Sequence, residues 1–174
     1  LSRERWAINE AVVREMAAPC DRPTIFPSSN PSASSEALPA DLYRWTNCRA
    51  LVATGSPFPN VDCEGRVYRV GQGNNVFIFP GLGLAAIAAN ARKITDAMTK
   101  IASEALAAQV TSEERAAGLL FPSVSRLRAV SFEIAVAVAR QAIKDGVAGC
   151  TLADVERLVR EARWSHDYPD YLPV

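Results

Sequence analysis

The sequence predicts an α/β fold in which a parallel sheet is followed by a helical segment. Short apolar runs of strand length alternate with helical patterns over the first half of the chain, which is typical of a parallel sheet covered by helices. From Thr95 onward the pattern is helical. The 174 residues, of which 49% are hydrophobic and 22% charged, suit one domain or a large part of one.

The first half of the chain contains all of the predicted strands. Its helices are predicted from apolar residues at helical spacing and from proline near a first turn, and its strands from short apolar runs bounded by turn residues. A loose alternation around Glu64-Gly65 predicts a hairpin. In order, the elements are a helix over Glu4–Ala17, a strand over Arg22–Pro27, a helix over Pro39–Trp45, a strand over Arg49–Gly55, the hairpin Val61–Val70 and a third strand over Val76–Phe79.

The second half of the chain is predicted from its cap and stop signals. An Ala-rich helix opens at Pro80 and ends near Ala91, and Thr111–Glu114 forms a capping box. A long helix covers Ser123–Asp145, with Gly146 as its stop signal. A further cap at Thr151–Asp154 opens the last helix, which runs to about Arg163, and the aromatic tail Trp164–Val174 is predicted to pack as irregular chain.

Charge and hydropathy exclude several classes of partner. The formal net charge is zero, so we expect neither nucleic acid nor an anionic membrane as a partner. No apolar run reaches the length that spans a bilayer, and the first residues lack the apolar core of a signal peptide. Because the chain starts at Leu1, we expect it to be an expressed or processed piece of a longer protein.

Histidine and cysteine offer little for metal binding. The single histidine, His166, lies between aromatic residues and is predicted to be a surface or packing residue. The four cysteines are widely and irregularly spaced with no CxxC pair, which argues against a zinc site. Reduced thiols are the favoured interpretation, and disulfides stay open.

A Ser29-Asn30-Pro31 turn follows the first predicted strand and is the first candidate site. Ligands of open α/β sheets bind outside the carboxyl ends of the strands, and an asparagine amide offers both donors and an acceptor to a carboxylate, amide or ribose hydroxyl. The alternative is a turn asparagine that caps its own backbone. Glu36, six positions after Asn30, is a candidate to orient this loop or to cap the next helix.

Two glycine-containing segments are the other candidates. Gly71–Asn75 combines glycines that permit close backbone approach with two adjacent asparagines, of which only one need face a ligand on an extended chain. It lacks the arrangement of the dinucleotide fingerprint, and the alternative is a hairpin exit loop. Pro80–Gly83 opens a helix, where free N–H groups bind anions or where the glycines allow close helix–strand packing.

Taken together, several stretches resemble malic enzymes, and they follow in order over nearly the whole chain. The tail resembles the bacterial NAD-linked members in particular. The stretches are Arg22–Pro31, Tyr43–Thr46, Arg49–Phe58, Gly71–Gly83, Arg92–Met98 and Tyr168–Tyr171.

The resemblance implies an activity and roles for the candidate residues. Malic enzymes oxidise malate at C2 with NAD or NADP, decarboxylate the product and release pyruvate, using Mg or Mn. By resemblance, Asn30 contacts malate and approaches the nicotinamide, with Ser29 on the cofactor side. Asn74 donates its amide to malate, and Asn75 lies beside it. These neutral donors orient C2 for hydride transfer.

The resemblance also implies what this chain lacks. Residues 1–92 correspond to the C-terminal half of a Rossmann-like NAD(P)-binding domain, and residues 93–174 to a helical C-terminal segment. The family's catalytic tyrosine and lysine, its metal-binding carboxylates and its glycine-rich dinucleotide turn have no counterpart here. We therefore expect the isolated chain to be inactive, and the parent protein to be a cytoplasmic homo-oligomer.

Two other interpretations stay open. The first is a stand-alone binding or interaction module that keeps part of the fold without the chemistry. The second is another dinucleotide enzyme with a coincidental match. A glycine-rich turn and a lysine-bearing segment encoded upstream of Leu1 would favour the malic enzyme, whereas a start codon there would favour the module.

Overall fold

The computed structural model of the chain describes residues 6–165, which form two compact units. The first unit comprises residues 6–77 and 104–130, and it contains every strand of the described range. The second comprises residues 78–103 and 131–165 and is helical. The α/β class with a helical C-terminal part is thereby confirmed, while the boundary at residue 92 stays a prediction.

The helices and strands are defined as follows. The α-helices are α1 (Glu10–Ala17), α2 (Pro39–Trp45), α3 (Phe79–Ala88), α4 (Asp96–Ala108), α5 (Ser112–Ala116), α6 (Leu127–Lys144) and α7 (Val155–Ala162). The strands are β1 (Thr24–Ile25), β2 (Leu51–Thr54), β3 (Val61–Cys63), β4 (Arg66–Tyr68) and β5 (Gly71–Gln72). Short 3-10 turns cover Ser32–Ser34, Asn75–Phe77, Val124–Arg126 and Leu152–Asp154.

A parallel sheet of order β1-β2-β5 lies at the centre of the first unit. Thr24 pairs with Leu51 at one end of the sheet, and Thr54 pairs with Gln72 at the other. The last three residues of β2 are all buried, as expected for a strand covered on both faces. The core against which β1 and β2 pack consists of Val13, Ile25, Ala37, Leu42, Tyr43, Ala50 and Val52.

The hairpin prediction is confirmed, and a disulfide corrects the expectation of reduced thiols. Strands β3 and β4 pair antiparallel around Glu64 and Gly65, whose φ angles of 54° and 77° suit a two-residue turn of primed type. Cys63 of β3 forms a disulfide with Cys48, which lies after the end of α2. The two cysteines are 15 positions apart, and the bond ties the hairpin to the end of α2.

Two predicted elements were wrong in part. The third strand is Gly71–Gln72 rather than Val76–Phe79, because the apolar run turns through a 3-10 segment into α3 and buries Phe77 completely. The first helix begins at Glu10 rather than Glu4. Asn9 caps it by accepting a hydrogen bond from the Val12 N–H, and residues 6–8 are not helical.

The second unit shows why glycine occupies position 81. A Cβ on Gly81 would lie 2.8 Å from Ile134 Cβ and from the Ser131 carbonyl oxygen, so the glycine permits close helix–helix packing. Close packing, the alternative for Pro80–Gly83, is therefore observed at Gly81 but not at Gly83, and the neighbour is a helix rather than the expected strand. His166 and the tail motif Tyr168–Tyr171 lie outside the described residues.

Candidate functional site

The carboxyl ends of β1, β2 and β5 meet at one edge of the sheet. Because the strands are parallel, the loops that follow them emerge side by side. They carry the Ser29-Asn30-Pro31 turn, the Gly55-Ser56 turn and Asn74. This set of loop residues is called the crevice below.

A buried carboxylate holds the first loop. Glu36, 7% exposed, accepts hydrogen bonds from the Ser29 hydroxyl at 2.6 Å and the Ser29 backbone N–H at 3.1 Å. Burial alone would raise the pKa of the Glu36 carboxyl, but the hydrogen bonds from Ser29 outweigh it and hold that pKa below its usual range. Glu36 therefore stays ionised and fixes the turn, which confirms its predicted role as the residue that orients the loop.

Gly55 allows the first two loops to touch through their backbones. Its N–H donates to the Pro27 carbonyl at 2.9 Å, and a Cβ at this position would lie only 2.1 Å from the Ser28 carbonyl oxygen. Any side chain would force the loops apart. Position 55 therefore requires glycine for close approach rather than for a positive φ.

The side chain of Asn30 is held by Ser56 through its oxygen, which leaves its amide N–H groups without a partner among the described residues. The Ser56 hydroxyl, which is buried, donates a hydrogen bond to Asn30 Oδ1. Asn30 is exposed, its peptide bond to Pro31 is cis, and its Nδ2 has no hydrogen-bond partner among the described residues. The amide is thus oriented by the protein while its N–H groups face outward.

Asn74 is tied to the second loop and to its own turn. Its Nδ2 donates to the Gly55 carbonyl oxygen at 2.9 Å, and its Oδ1 accepts from the Val76 N–H at 3.0 Å. One N–H of the amide is left for a ligand. Gln72 also donates to the Gly55 carbonyl, at 3.2 Å, and Asn75 is exposed at the start of the 3-10 turn.

The two glycines of the Gly71-Gln72-Gly73 segment serve packing within the first unit. A Cβ on Gly71 would lie 3.3 Å from the Leu119 side chain, and one on Gly73 would lie 2.9 Å from the Phe121 ring. Neither glycine has a positive φ. Their close approach is therefore to the chain after α5.

The structure brings Ser29, Asn30 and Asn74 together at one sheet edge, with Asn75 exposed beside them. Sequence reasoning missed the part played by Gly55 and Ser56. The available signal was a Gly-Ser pair at the end of a buried strand. Its importance depends on which strands are neighbours, and spacing along the chain does not show that.

The described range offers no metal site and no membrane span. Within residues 6–165, no group of three or more His, Cys, Asp or Glu side chains is placed to hold a metal ion. In the same range, no helix is both long and apolar enough to cross a membrane.

Comparison with known proteins decides the family. The model of the malic enzyme NAD-binding domain matches residues 1–143. The chain belongs to the malic enzyme family. Its similarity to curated malic enzymes extends over almost its full length. It is 45% identical over 168 residues to NAD-dependent malic enzyme 3 of Bacillus subtilis, a match that covers 97% of this chain and 29% of that protein.

Other malic enzymes agree in sequence and in structure. The NAD-dependent malic enzyme of Acinetobacter baylyi is 46% identical over 176 residues, covering 100% of this chain and 31% of that protein. The crystal structure of malic enzyme from Pyrococcus horikoshii superimposes with a TM-score of 0.69 at 28% identity, covering 93% of this chain and 33% of that one. The crystal structure of Entamoeba histolytica malic enzyme superimposes with a TM-score of 0.68 at 29% identity, covering 94% of this chain and 32% of that one. The chain thus spans about a third of the length of these malic enzymes.

Proposed function

We propose that this chain is the C-terminal part of an NAD-dependent malic enzyme, which oxidatively decarboxylates malate to pyruvate and CO2. The observation that carries the proposal is the crevice. Asn30 and Asn74 are held at one sheet edge by hydrogen bonds to Ser56 and Gly55 that leave amide N–H groups for a ligand. Membership of the family and the names of the NAD-dependent relatives support the substrate and the cofactor.

The crevice asparagines bind and orient the substrate in this proposal. The chemistry that bound NAD would supply is acceptance of the hydride from C2 of malate. The Asn74 amide would donate to malate, with Asn75 as a neighbouring contact, while Asn30 would contact malate and approach the nicotinamide. Ser29, fixed by Glu36, keeps the turn in place on the cofactor side. Because these dipoles are positioned before the substrate arrives, little reorganisation accompanies the reaction.

Residues 6–165 offer no group of side chains that fits a metal centre, so no role proposed for these residues involves Mg or Mn. We propose that ligands for such a metal, and the groups that transfer protons, belong to the rest of the enzyme. A cytoplasmic homo-oligomer is proposed on the family resemblance alone, and sedimentation equilibrium of the full-length protein tests its oligomeric part.

Replacing Asn74 in the full-length enzyme tests the substrate role. Asn74→Ala should lower kcat/KM for malate by roughly tenfold to a hundredfold, as expected for one charge-assisted hydrogen bond. The dissociation constant for NAD should change less than about twofold. Asn30→Ala should instead disturb both ligands.

Gln72→Met is the matched control, because Gln72 donates to the same Gly55 carbonyl as Asn74 and is not among the residues assigned to the substrate. It should leave kcat/KM for malate near the wild-type value. An unchanged kcat/KM in Asn74→Ala would remove Asn74 from the substrate site. Equal losses in both variants would assign it a purely structural role.

A further inference from the structure

A pocket rich in arginine lies at the opposite edge of the sheet from the crevice. Its volume is about 370 Å³, and it opens where β1 and β2 begin, beside α5. Four arginines contribute to its wall, and none of its lining residues is acidic. The arginines are Arg22, Arg49, Arg66 and Arg115.

The positive charge of this pocket is not neutralised within the described part of the chain. Arg22, Arg66 and Arg115 are exposed and form no ion pair with any residue from 6 to 165. Arg66 lies over the ring of Tyr68 at 5.1 Å. Arg49 donates only to neutral acceptors, the backbone carbonyls of residues 20, 21 and 46. Four like charges around one cavity repel each other unless an anion lies between them.

A buried hydroxyl adds a donor to the arginines. Tyr43 lines the pocket, is only 2% exposed, and packs against Tyr68 with ring centroids 4.7 Å apart. Its hydroxyl has no hydrogen-bond partner among the described residues, whereas every fully buried side-chain nitrogen and oxygen there has one. The hydroxyl is therefore not fully buried, and because Tyr43 lines the pocket we assign it as a donor to a ligand there. Burial, together with Tyr68, raises the pKa of Tyr43 to about 12, so the group remains a donor at neutral pH.

We propose that this pocket is a binding site for a small phosphate-bearing anion of the diphosphate class. Guanidinium groups match phosphate oxygens in a planar, bidentate geometry, and a Tyr43 hydroxyl supplies one further donor. A diphosphate carries about three negative charges near neutral pH, which suits four arginines better than the two charges of a dicarboxylate. The proposed anion site lies at the end of the sheet where β1 and β2 begin. It is therefore separate from Asn30 and Asn74, which lie where the strands end.

Calorimetric titration of the full-length protein with inorganic pyrophosphate tests the proposal. It is carried out without divalent metal and at constant ionic strength, with sulfate as the anion for comparison. Arg66→Ser and Arg115→Ser should each raise the pyrophosphate Kd about tenfold, because each removes a charge-assisted contact from a different element. Tyr43→Phe should raise it a few-fold, since the ring stays in place. Sulfate should bind more weakly than pyrophosphate.

Arg69→Ser is the matched control. Arg69 is an exposed arginine that follows β4 and does not line this pocket, so its loss should change the Kd less than about twofold. Circular dichroism confirms that each variant is folded, and Arg66 and Arg115 serve as independent tests.

Three results would overturn the site. Pyrophosphate affinity that survives both Arg66→Ser and Arg115→Ser would place binding elsewhere in the protein. An equal loss in Arg69→Ser would reduce the effect to overall charge. Absence of binding at millimolar pyrophosphate would mean that carboxylates from another segment of the enzyme neutralise these arginines.

Discussion

Glu36 is expected to stabilise the first crevice loop, and its replacement gives a graded test. Glu36→Ala removes the acceptor of two hydrogen bonds, from the Ser29 hydroxyl at 2.6 Å and the Ser29 N–H at 3.1 Å. Hydrogen bonds to a charged group contribute roughly 1.5–3 kcal/mol each. Glu36 and Ser29 are both buried, so water does not readily replace the lost partner. We therefore expect a loss of about 3 kcal/mol in the free energy of unfolding.

Glu36→Gln should lower the free energy of unfolding by less than Glu36→Ala does. The amide retains one acceptor oxygen for the Ser29 N–H, and the Ser29 hydroxyl can rotate to accept from the new NH2 group. Only the assistance of the charge is lost, so we expect a loss of about 1 kcal/mol. A double-mutant cycle between Glu36→Gln and Ser29→Ala isolates the coupling between the two side chains.

Urea unfolding followed by circular dichroism measures these differences, and its pH dependence tests the charge. The folded-state pKa of Glu36 lies below its usual range. Its ionised form therefore contributes stability that is fully present above the ordinary pKa of a glutamate in an unfolded chain, and that is lost as pH falls through the lower folded-state pKa. The gap between wild type and Glu36→Gln should be constant near neutral pH and should close in acid. Equal losses for the alanine and glutamine variants, or a gap independent of pH, would refute the reasoning.

Two further predictions concern packing and the disulfide. Gly81→Ala should lower the free energy of unfolding by roughly 1–3 kcal/mol, because its Cβ would lie 2.8 Å from Ile134 Cβ. Gly83→Ala, whose Cβ meets nothing within 4 Å, should leave this free energy unchanged or raise it by up to about 1 kcal/mol. Urea unfolding measures both variants. Cys48→Ser should cost about 3 kcal/mol by opening a loop whose ends are 15 positions apart, and a reducing agent should destabilise wild type but not this variant in thermal unfolding.

Elements with clear local signals were predicted well. Helix α2 begins at Pro39 as expected, because a proline in the first turn fits a helix start. The apolar run Val76–Phe79 misled, since a short apolar run does not distinguish a buried strand from the start of a buried helix. The true third strand, Gly71–Gln72, has no β-branched residue and is defined by its pairing with β2. Only the fold supplies that information.

The candidate site was predictable in its ligand-type residues and not in their partners. Asn30 and Asn74 are candidates chiefly because the resemblance to malic enzymes assigns them roles, since the turn patterns alone also fit loop residues without a ligand. That Ser56 holds Asn30, and Gly55 holds Asn74, follows from the placement of β2 between β1 and β5. The disulfide was equally unpredictable, because the spacing of cysteines alone does not determine which of them pair.

The central position of β2 in the sheet explains why the two crevice asparagines are positioned by the same turn. Its Gly55-Ser56 turn bonds to Asn30 on one side and to Asn74 on the other, so neither amide is positioned by its own loop alone. The ordering of these side chains is completed on folding, which lowers the entropy lost when a ligand binds. A substitution in the β2 turn should therefore disturb both asparagines together, although it removes neither amide. The sheet order thus couples two proposed substrate contacts that lie 44 positions apart in the sequence.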